Sequence, residues 1–477
     1  MTATPVLVLF RRDLRIADNP AIAAAHATGR PMAFAYILDE TGRFAPGGAQ
    51  RWRLAGSLEN LTRALSCRGG SLILRRGALI ATAAAIVKEL GAGAVYWNRR
   101  YAPDEIAIDT TLKKSLGDSG VEVRTFSASL LREPWEIATK NGEPFKVFTP
   151  FWRALQQLGP SRDIAPEAKR FPAAPAIASD DLAQWRLQPS APDWAHEFAD
   201  YWTPGEDAAH KALDQFLETR INAYSESRDI PSVRGTSILS PCLALGELSP
   251  LQVWRATMGA IEARRIAPAA GEKFLSEIAW REFSYSLLYN FPTIVDHAWR
   301  PSFDAMPWRD DDTAFRAWTR GETGVPLVDA GMRELWRTGW MHNRVRMVVA
   351  SFLTKNLLID WRRGERWFWN TLIDADPASN VASWQWVAGS GADAAPYFRI
   401  FNPVAQSEKF DPKGAYIRRF VPEIAALEDS AIRAPWLATD TALKKAGVSL
   451  GVNYPRPIVD LTSSRVRALD AYKEMKS

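Results

Sequence analysis

The chain has little cysteine and little histidine, and each shortage excludes a class of chemistry. Its 477 residues hold two cysteines, Cys67 and Cys242, far apart and each without a neighbouring thiol. That is too few for a four-cysteine iron–sulfur cluster or a structural zinc site. The five histidines (His26, His196, His210, His297 and His342) show no metal-ligand spacing, so each is expected in a structural or surface role and no metal is expected. No run of 18 apolar residues occurs, which predicts no membrane-spanning helix. The opening MTATPVLVLFRRDLR has an apolar run too short for a signal peptide, with charges directly after it. A soluble, cytoplasmic protein is the expectation. There is no internal repeat, and no G-x-G-x-x-G follows the first apolar run, so a dinucleotide fingerprint is absent.

What is present falls into two kinds of pattern. VLVLF (Val6–Phe10), MAFAYIL (Met32–Leu38), SLILR (Ser71–Arg75), AVYWN (Ala94–Asn98) and VEVRTF (Val121–Phe126) read as buried strands. Helical stretches alternate with them at Asn19–Ala27, Ala49–Cys67, Leu79–Leu90 and Asp104–Leu116, which predicts a parallel sheet wrapped by helices. Residues 131–205 are irregular and rich in Pro, Ala and Asp, and read as a long surface connector. From 206 to 477 helical periodicity dominates. The expected organisation is a Rossmann-like α/β domain at 1–130, the connector, and a large all-α domain.

The net charge is +5, a mild excess whose location says more than its size. Residues 331–367 carry eight basic residues (Arg333, Arg337, Arg344, Arg346, Lys355, Arg362, Arg363, Arg366) against Glu334, Asp360 and Glu365. Trp336, Trp340, Trp361 and Trp367 are interleaved with them. A basic surface with aromatic platforms suits phosphates and bases; by charge alone, a solvated helix face over a Trp-rich core is the commoner meaning.

Three groups of residues carry chemistry. GTSILSP (Gly235–Pro241) offers a flexible backbone and the hydroxyls of Thr236, Ser237 and Ser240, able to wrap a diphosphate or merely to cap a helix. FLSEIAWREFSYSLL places Glu277, Trp280 and Arg281 at i, i+3 and i+4, one helical face. GWMHNRVRM places Asn343 and Met347 at i and i+4, with Arg344 beside them. LIDADPASN (Leu372–Asn380) and WQWVAGSGADAAPYFRIFNPVAQSEKFDP (Trp384–Pro412) then combine paired aspartates, an asparagine and paired tryptophans.

These strings resemble the photolyase/cryptochrome family along nearly the whole chain, from FRRDLRIADN to YIRRFVPE. The resemblance implies FAD, held by Tyr224, the loop Thr236, Ser237, Ile238, Leu239 and Ser240, an Arg346–Asp374 ion pair across the ring, Asp376, and Asn380 facing flavin N5. Plant cryptochromes carry aspartate where Asn380 stands, so asparagine points to repair. Trp384, Trp361 and Trp308 match the family's electron wire to the surface, with Trp336 and Trp386 as other stepping stones. Glu277, Trp280, Arg281, Asn343, Arg344, Met347 and Trp386 match the walls of the cyclobutane-dimer pocket. The histidine pair of (6-4) enzymes is missing, since Asn343 and Met347 occupy those places; the two cysteines also exclude the iron–sulfur branch.

Arg12 and Asp13 are expected to pair near an antenna site, where Glu105 matches the acid that holds a folate. Asp104 stands where the folate enzymes have asparagine, so deazaflavin or FMN stays open beside 5,10-methenyltetrahydrofolate. GGAQRWR and RRY look closer to class III photolyases than to the enteric class I enzymes. The implied function is light-driven repair of cyclobutane dimers in UV-damaged DNA, by a monomer with no obligatory protein partner, nucleoid-associated in a prokaryote. A signalling photoreceptor of cryptochrome type and a light-independent flavin oxidoreductase are the rivals.

Overall fold

A computed structural model describes residues 4–394 and 398–476; residues 395–397 of the long aromatic stretch lie outside it. Five strands, β1 (Val6–Phe10), β2 (Met32–Leu38), β3 (Leu72–Arg76), β4 (Ala94–Asn98) and β5 (Glu122–Phe126), form one parallel sheet in the order β3-β2-β1-β4-β5. Every pairing is parallel, with Val6 opposite both Met32 and Ala94. β1, β2 and β4 are buried throughout, which is why they read as continuous apolar runs rather than alternating ones. Along β1, Val6, Val8 and Phe10 enter one core while Leu7 and Leu9 enter the other. The helices α1 (Pro20–Ala27), α2 (Gly48–Ser66), α3 (Leu79–Leu90) and α4 (Pro103–Asp118) connect the strands, each within two residues of its predicted bounds.

The segment 131–205 carries more structure than its composition suggests. It contains α5 (Phe148–Leu158), whose Phe151 and Leu155 are buried. Ala168, Phe171, Trp185 and Leu187 are buried in one of the sheet's two cores. Sparse large apolar residues among Pro and Ala hid these anchors from a reading of periodicity.

From residue 206 the described chain is helical and has no strand. It includes the 23-residue helix Pro268–Asn290, Pro326–Thr338, Asn343–Ser351, Trp361–Thr371 and Pro377–Ala388. No described helix is long and apolar enough to cross a membrane. By compactness the chain divides into two units: residues 1–222, 237–292 and 373–378 form the first, and 223–236, 293–372 and 379–477 the second.

Candidate functional site

In the first unit a cavity open to solvent lies where β1, β2 and β4 end. Carboxyl ends of parallel strands beside a reversal of strand order are where open α/β sheets bind ligands. Its walls are Tyr36, Ile37, Phe44, Leu79, Ile108 and Leu245, and its polar groups Arg11, Arg12, Arg100, Asp39, Asp104, Glu105 and Gln50. Asp104 and Glu105 occupy the first turn of α4, where the helix dipole favours carboxylates. Glu105 is buried and takes Arg12 at 2.9 Å and Arg100 at 3.6 Å. Burial alone would weaken the basicity of Arg100, but Glu105 and Asp109 outweigh it and hold the guanidinium above its ordinary pKa. Arg12 serves Glu105 and the Phe44 carbonyl, while Asp13 accepts from Asn98 and the Arg11 backbone N–H. Arg11 and Tyr36 were missed; they follow β1 and lie in β2, where only topology makes them neighbours.

The same unit holds the helix Pro268–Asn290. Glu277 pairs with Lys273 at 3.0 Å, and both partners are partly exposed. Trp280 is also partly exposed and stacks on Phe148. Arg281, matched by resemblance to the pocket wall, has its contacts inside the unit. It is mostly buried, donates to the Ser129 carbonyl at 2.7 Å, lies 4.7 Å from the Tyr285 ring, and approaches Glu282 and Asp376. A guanidinium inside a core settles on buried acceptors. Asp376 accepts from the Tyr285 hydroxyl at 2.7 Å and from the Ala378 N–H at 3.1 Å; Asp374 is buried as well. In the loop, Ile238 adopts φ +58°, an outlier for a β-branched residue and of the kind that collects at ligand sites. Ser237 Oγ accepts from the Leu239 N–H. The helix that Ser240 opens is only five residues long, so loop backbone and hydroxyls, not a helix dipole, are what this segment offers an anion.

In the second unit Tyr224 is buried, and a Cβ on Gly235 would come within 2.5 Å of the Ser227 carbonyl oxygen. Arg346 donates to the Met341 carbonyl at 2.7 Å. Asn343 is exposed and Met347 half-buried. Arg344 reaches Asp229 at 2.7 Å and lies over the Phe410 ring. Trp386 donates to the Asp393 carbonyl. His342 caps its helix by accepting the Arg344 N–H; burial lowers its pKa to about 4, so it stays neutral. The predicted basic surface at 331–367 is largely spent internally. Arg333, Arg344, Arg362 and Arg363 are in ion pairs, Lys355 is buried, and Trp361 is fully buried.

Asn380 is buried, and its amide nitrogen donates to the Glu365 backbone oxygen at 3.0 Å and to Glu365 Oε1 at 2.9 Å. Glu365 escaped the sequence reading; a lone acid in WRRGERWFW looks like a surface charge. Trp384 and Trp361 are buried and Trp308 is partly exposed. Trp384 packs so closely on the helix Trp361–Thr371 that a Cβ on Gly364 would fall 2.1 Å from its ring. The Arg309 N–H donates to the Leu358 carbonyl, tying the Trp308 segment beside the start of that helix. None of the three indole N–H groups has a hydrogen-bond partner among the described residues. Trp336 and Trp367 form a separate stacked pair, 6.1 Å apart at 11°.

Fold and residues define an α/β-plus-helical protein. Residues 6–175 match the family model for DNA photolyase, and residues 274–474 the model for the FAD binding domain of DNA photolyase. The chain belongs to the photolyase/cryptochrome family. It is 52% identical over its whole length, and over 99% of the relative, to a deoxyribodipyrimidine photo-lyase of Agrobacterium fabrum. It is 38% identical to cryptochrome-1 of Arabidopsis thaliana, over 98% of this chain and 70% of that one. A crystal structure of a bacterial class III photolyase from Agrobacterium tumefaciens superposes with a TM-score of 0.95 at 52% identity, covering 100% of this chain and 98% of that one. An archaeal photolyase from Sulfolobus tokodaii, described with two FAD molecules, gives 0.81 at 27%, over 98% and 100%.

Proposed function

We propose that the protein is a deoxyribodipyrimidine photo-lyase, of class III, that splits cyclobutane pyrimidine dimers in UV-damaged DNA under blue light. Reduced FAD, when bound, supplies the photoexcited electron donor. The observation that carries the reading is the Asn380 amide. Glu365 takes both contacts from the amide nitrogen, and its carboxylate would repel the amide oxygen. The oxygen is therefore the group left to accept a hydrogen bond, and an acceptor favours a protonated N5 of reduced flavin over the bare N5 of the oxidised form.

The remaining residues suit FAD and a flipped lesion. Buried Asp374 and Asp376 offer acceptors to ring N–H and ribityl hydroxyls; Arg346 offers a cation, and Tyr224, Thr236, Ser237, Ile238, Leu239 and Ser240 a diphosphate loop. Trp384 feeds electrons inward, and the hole moves through Trp361 to Trp308. On the DNA side, Trp280 and Trp386 stack on a flipped pyrimidine pair, each base worth about 1–3 kcal/mol. Glu277 exchanges its weak surface pair with Lys273 for a pyrimidine carbonyl or N–H, and Arg344 exchanges Asp229 for a backbone phosphate. Asn343 and Met347 line the pocket, while Arg281 acts through Asp376.

In the β-strand-end cavity Tyr36, Leu79, Asp104 and Glu105 would hold an antenna, 5,10-methenyltetrahydrofolate, which would supply light harvesting. A deazaflavin or second flavin is the other occupant, and the spectrum of released chromophore separates them. We read the protein as a cytoplasmic, nucleoid-associated monomer. The function is tested by dimer loss from UV-irradiated oligothymidylate with pre-reduced protein. Thymine absorbance returns in blue light and not in the dark; no return, with flavin bound and reduced, supports a photoreceptor instead.

A further inference from the structure

Trp280 stands on the helix Pro268–Asn290, and one face of its indole is covered. The Phe148 ring lies on it with centroids 3.8 Å apart and planes 8° from parallel. Aromatic pairs left to themselves prefer offset or edge-to-face geometries with centroids about 4.5–7 Å apart, so surrounding packing holds this one face to face. Phe148 opens α5, and Phe151 and Leu155, three and seven residues on, are buried beneath it. Phe283, itself buried, meets Phe148 at 6.0 Å, Phe151 at 5.3 Å and Trp280 at 5.9 Å. The four rings form one group anchored in the core, with Trp280 at its partly exposed end.

We propose that Phe148 is a positioning residue for lesion recognition: it closes one face of Trp280 and fixes the plane of the other, so that the indole offers a flipped dimer a single stacking face. The inference rests on the reading of Trp280 as a wall of the lesion pocket. An unsupported indole turns about two side-chain bonds, and its ordering on binding would count against affinity; a clamped one is ordered beforehand. With one face closed, only one pyrimidine of the dimer can stack on Trp280, which fixes the lesion's orientation. Intact DNA, whose bases stay stacked in the duplex, gains nothing from the clamp.

The test uses the flavin-loaded full chain with Phe148→Leu, which keeps apolar volume and removes the flat ring, and Phe148→Tyr, which keeps the ring. Dark binding is measured to matched oligonucleotides with and without one cyclobutane dimer. Phe148→Leu is expected to weaken dimer binding about tenfold, leave undamaged DNA within about twofold, and raise KM with little change in kcat for pre-reduced protein. Phe148→Tyr restores wild-type discrimination. Unchanged discrimination in Phe148→Leu, with Trp280→Ala losing it, overturns the inference and leaves the reading of Trp280 intact. Discrimination kept by Trp280→Ala overturns both. Should the leucine variant not fold, as judged by melting and flavin absorbance, Phe148→Met carries the same prediction.

Discussion

Glu365 holds Asn380 by the nitrogen of its amide, through both its backbone oxygen and its carboxylate. The amide therefore cannot present its N–H groups in the opposite direction without losing a buried partner, a loss of about 1–3 kcal/mol. Glu365→Leu releases that constraint. The bound reduced flavin is then expected to reoxidise in air several-fold faster in the dark. Flavin absorbance after mixing with oxygen reads this directly, and an unchanged rate removes Glu365 from the account.

The electron wire has its own test. Trp384→Phe is expected to cut photoreduction of oxidised flavin by about a hundredfold, because phenylalanine is far harder to oxidise than indole, while repair by pre-reduced protein continues. Gly364→Ala acts on the same ring from outside, since its Cβ would fall 2.1 Å from Trp384. It should slow photoreduction and cost about 1–3 kcal/mol of stability from overpacking. Photoreduction at full rate in Trp384→Phe sends the electrons by another path.

Glu105 neutralises Arg12 and Arg100 at the cavity wall. Glu105→Ala takes one carboxylate from two mostly buried guanidinium groups, leaving Arg100 with Asp109 and Arg12 with the Phe44 carbonyl, and thermal unfolding should register a loss of about 2 kcal/mol. The antenna band should disappear from the purified protein's spectrum while flavin absorbance stays. Retention of both chromophores places the antenna elsewhere.

Glu334 gives a pH signature. Burial, only partly offset by the Tyr416 hydroxyl and the His342 N–H, raises its pKa to about 7. A carboxyl raised in the folded state is protonated there while the unfolded chain has already released its proton. Its contribution is complete below the ordinary pKa near 4.5 and is lost as pH rises through about 7. Glu334→Gln removes that loss, so the Tm difference between variant and wild type should move in the variant's favour from pH 4.5 to pH 7.5. A flat difference shows that Glu334 titrates normally.

Much of this was legible in the chain. β1, β2 and β4 were read to the residue because strands buried on both faces are continuous apolar runs bounded by charge. Helical spacing put Glu277 and Trp280 on one face, while their proposed place in a lesion pocket, and that of Asn380 beside the flavin, came from the family resemblance. What escaped were relations that only folding creates. Glu365 lies fifteen residues from Asn380, α5 is marked by scattered aromatics, and Arg281 looks outward in sequence yet turns to Ser129, Tyr285 and Asp376. In the basic segment at 331–367, ion pairs engage Arg333, Arg344, Arg362 and Arg363, relations that charge counting does not show.

Under the proposed function, an electron lent to the lesion by reduced flavin and returned to it would leave the flavin reduced after each repair. Pre-reduced protein with excess dimer-containing oligonucleotide, given a train of short blue flashes without oxygen or added reductant, tests it most directly. The account predicts that dimers disappear flash after flash, well beyond one per protein, and that the flavin ends fully reduced. One flavin oxidised per dimer lost, or no dimers lost at all, contradicts it.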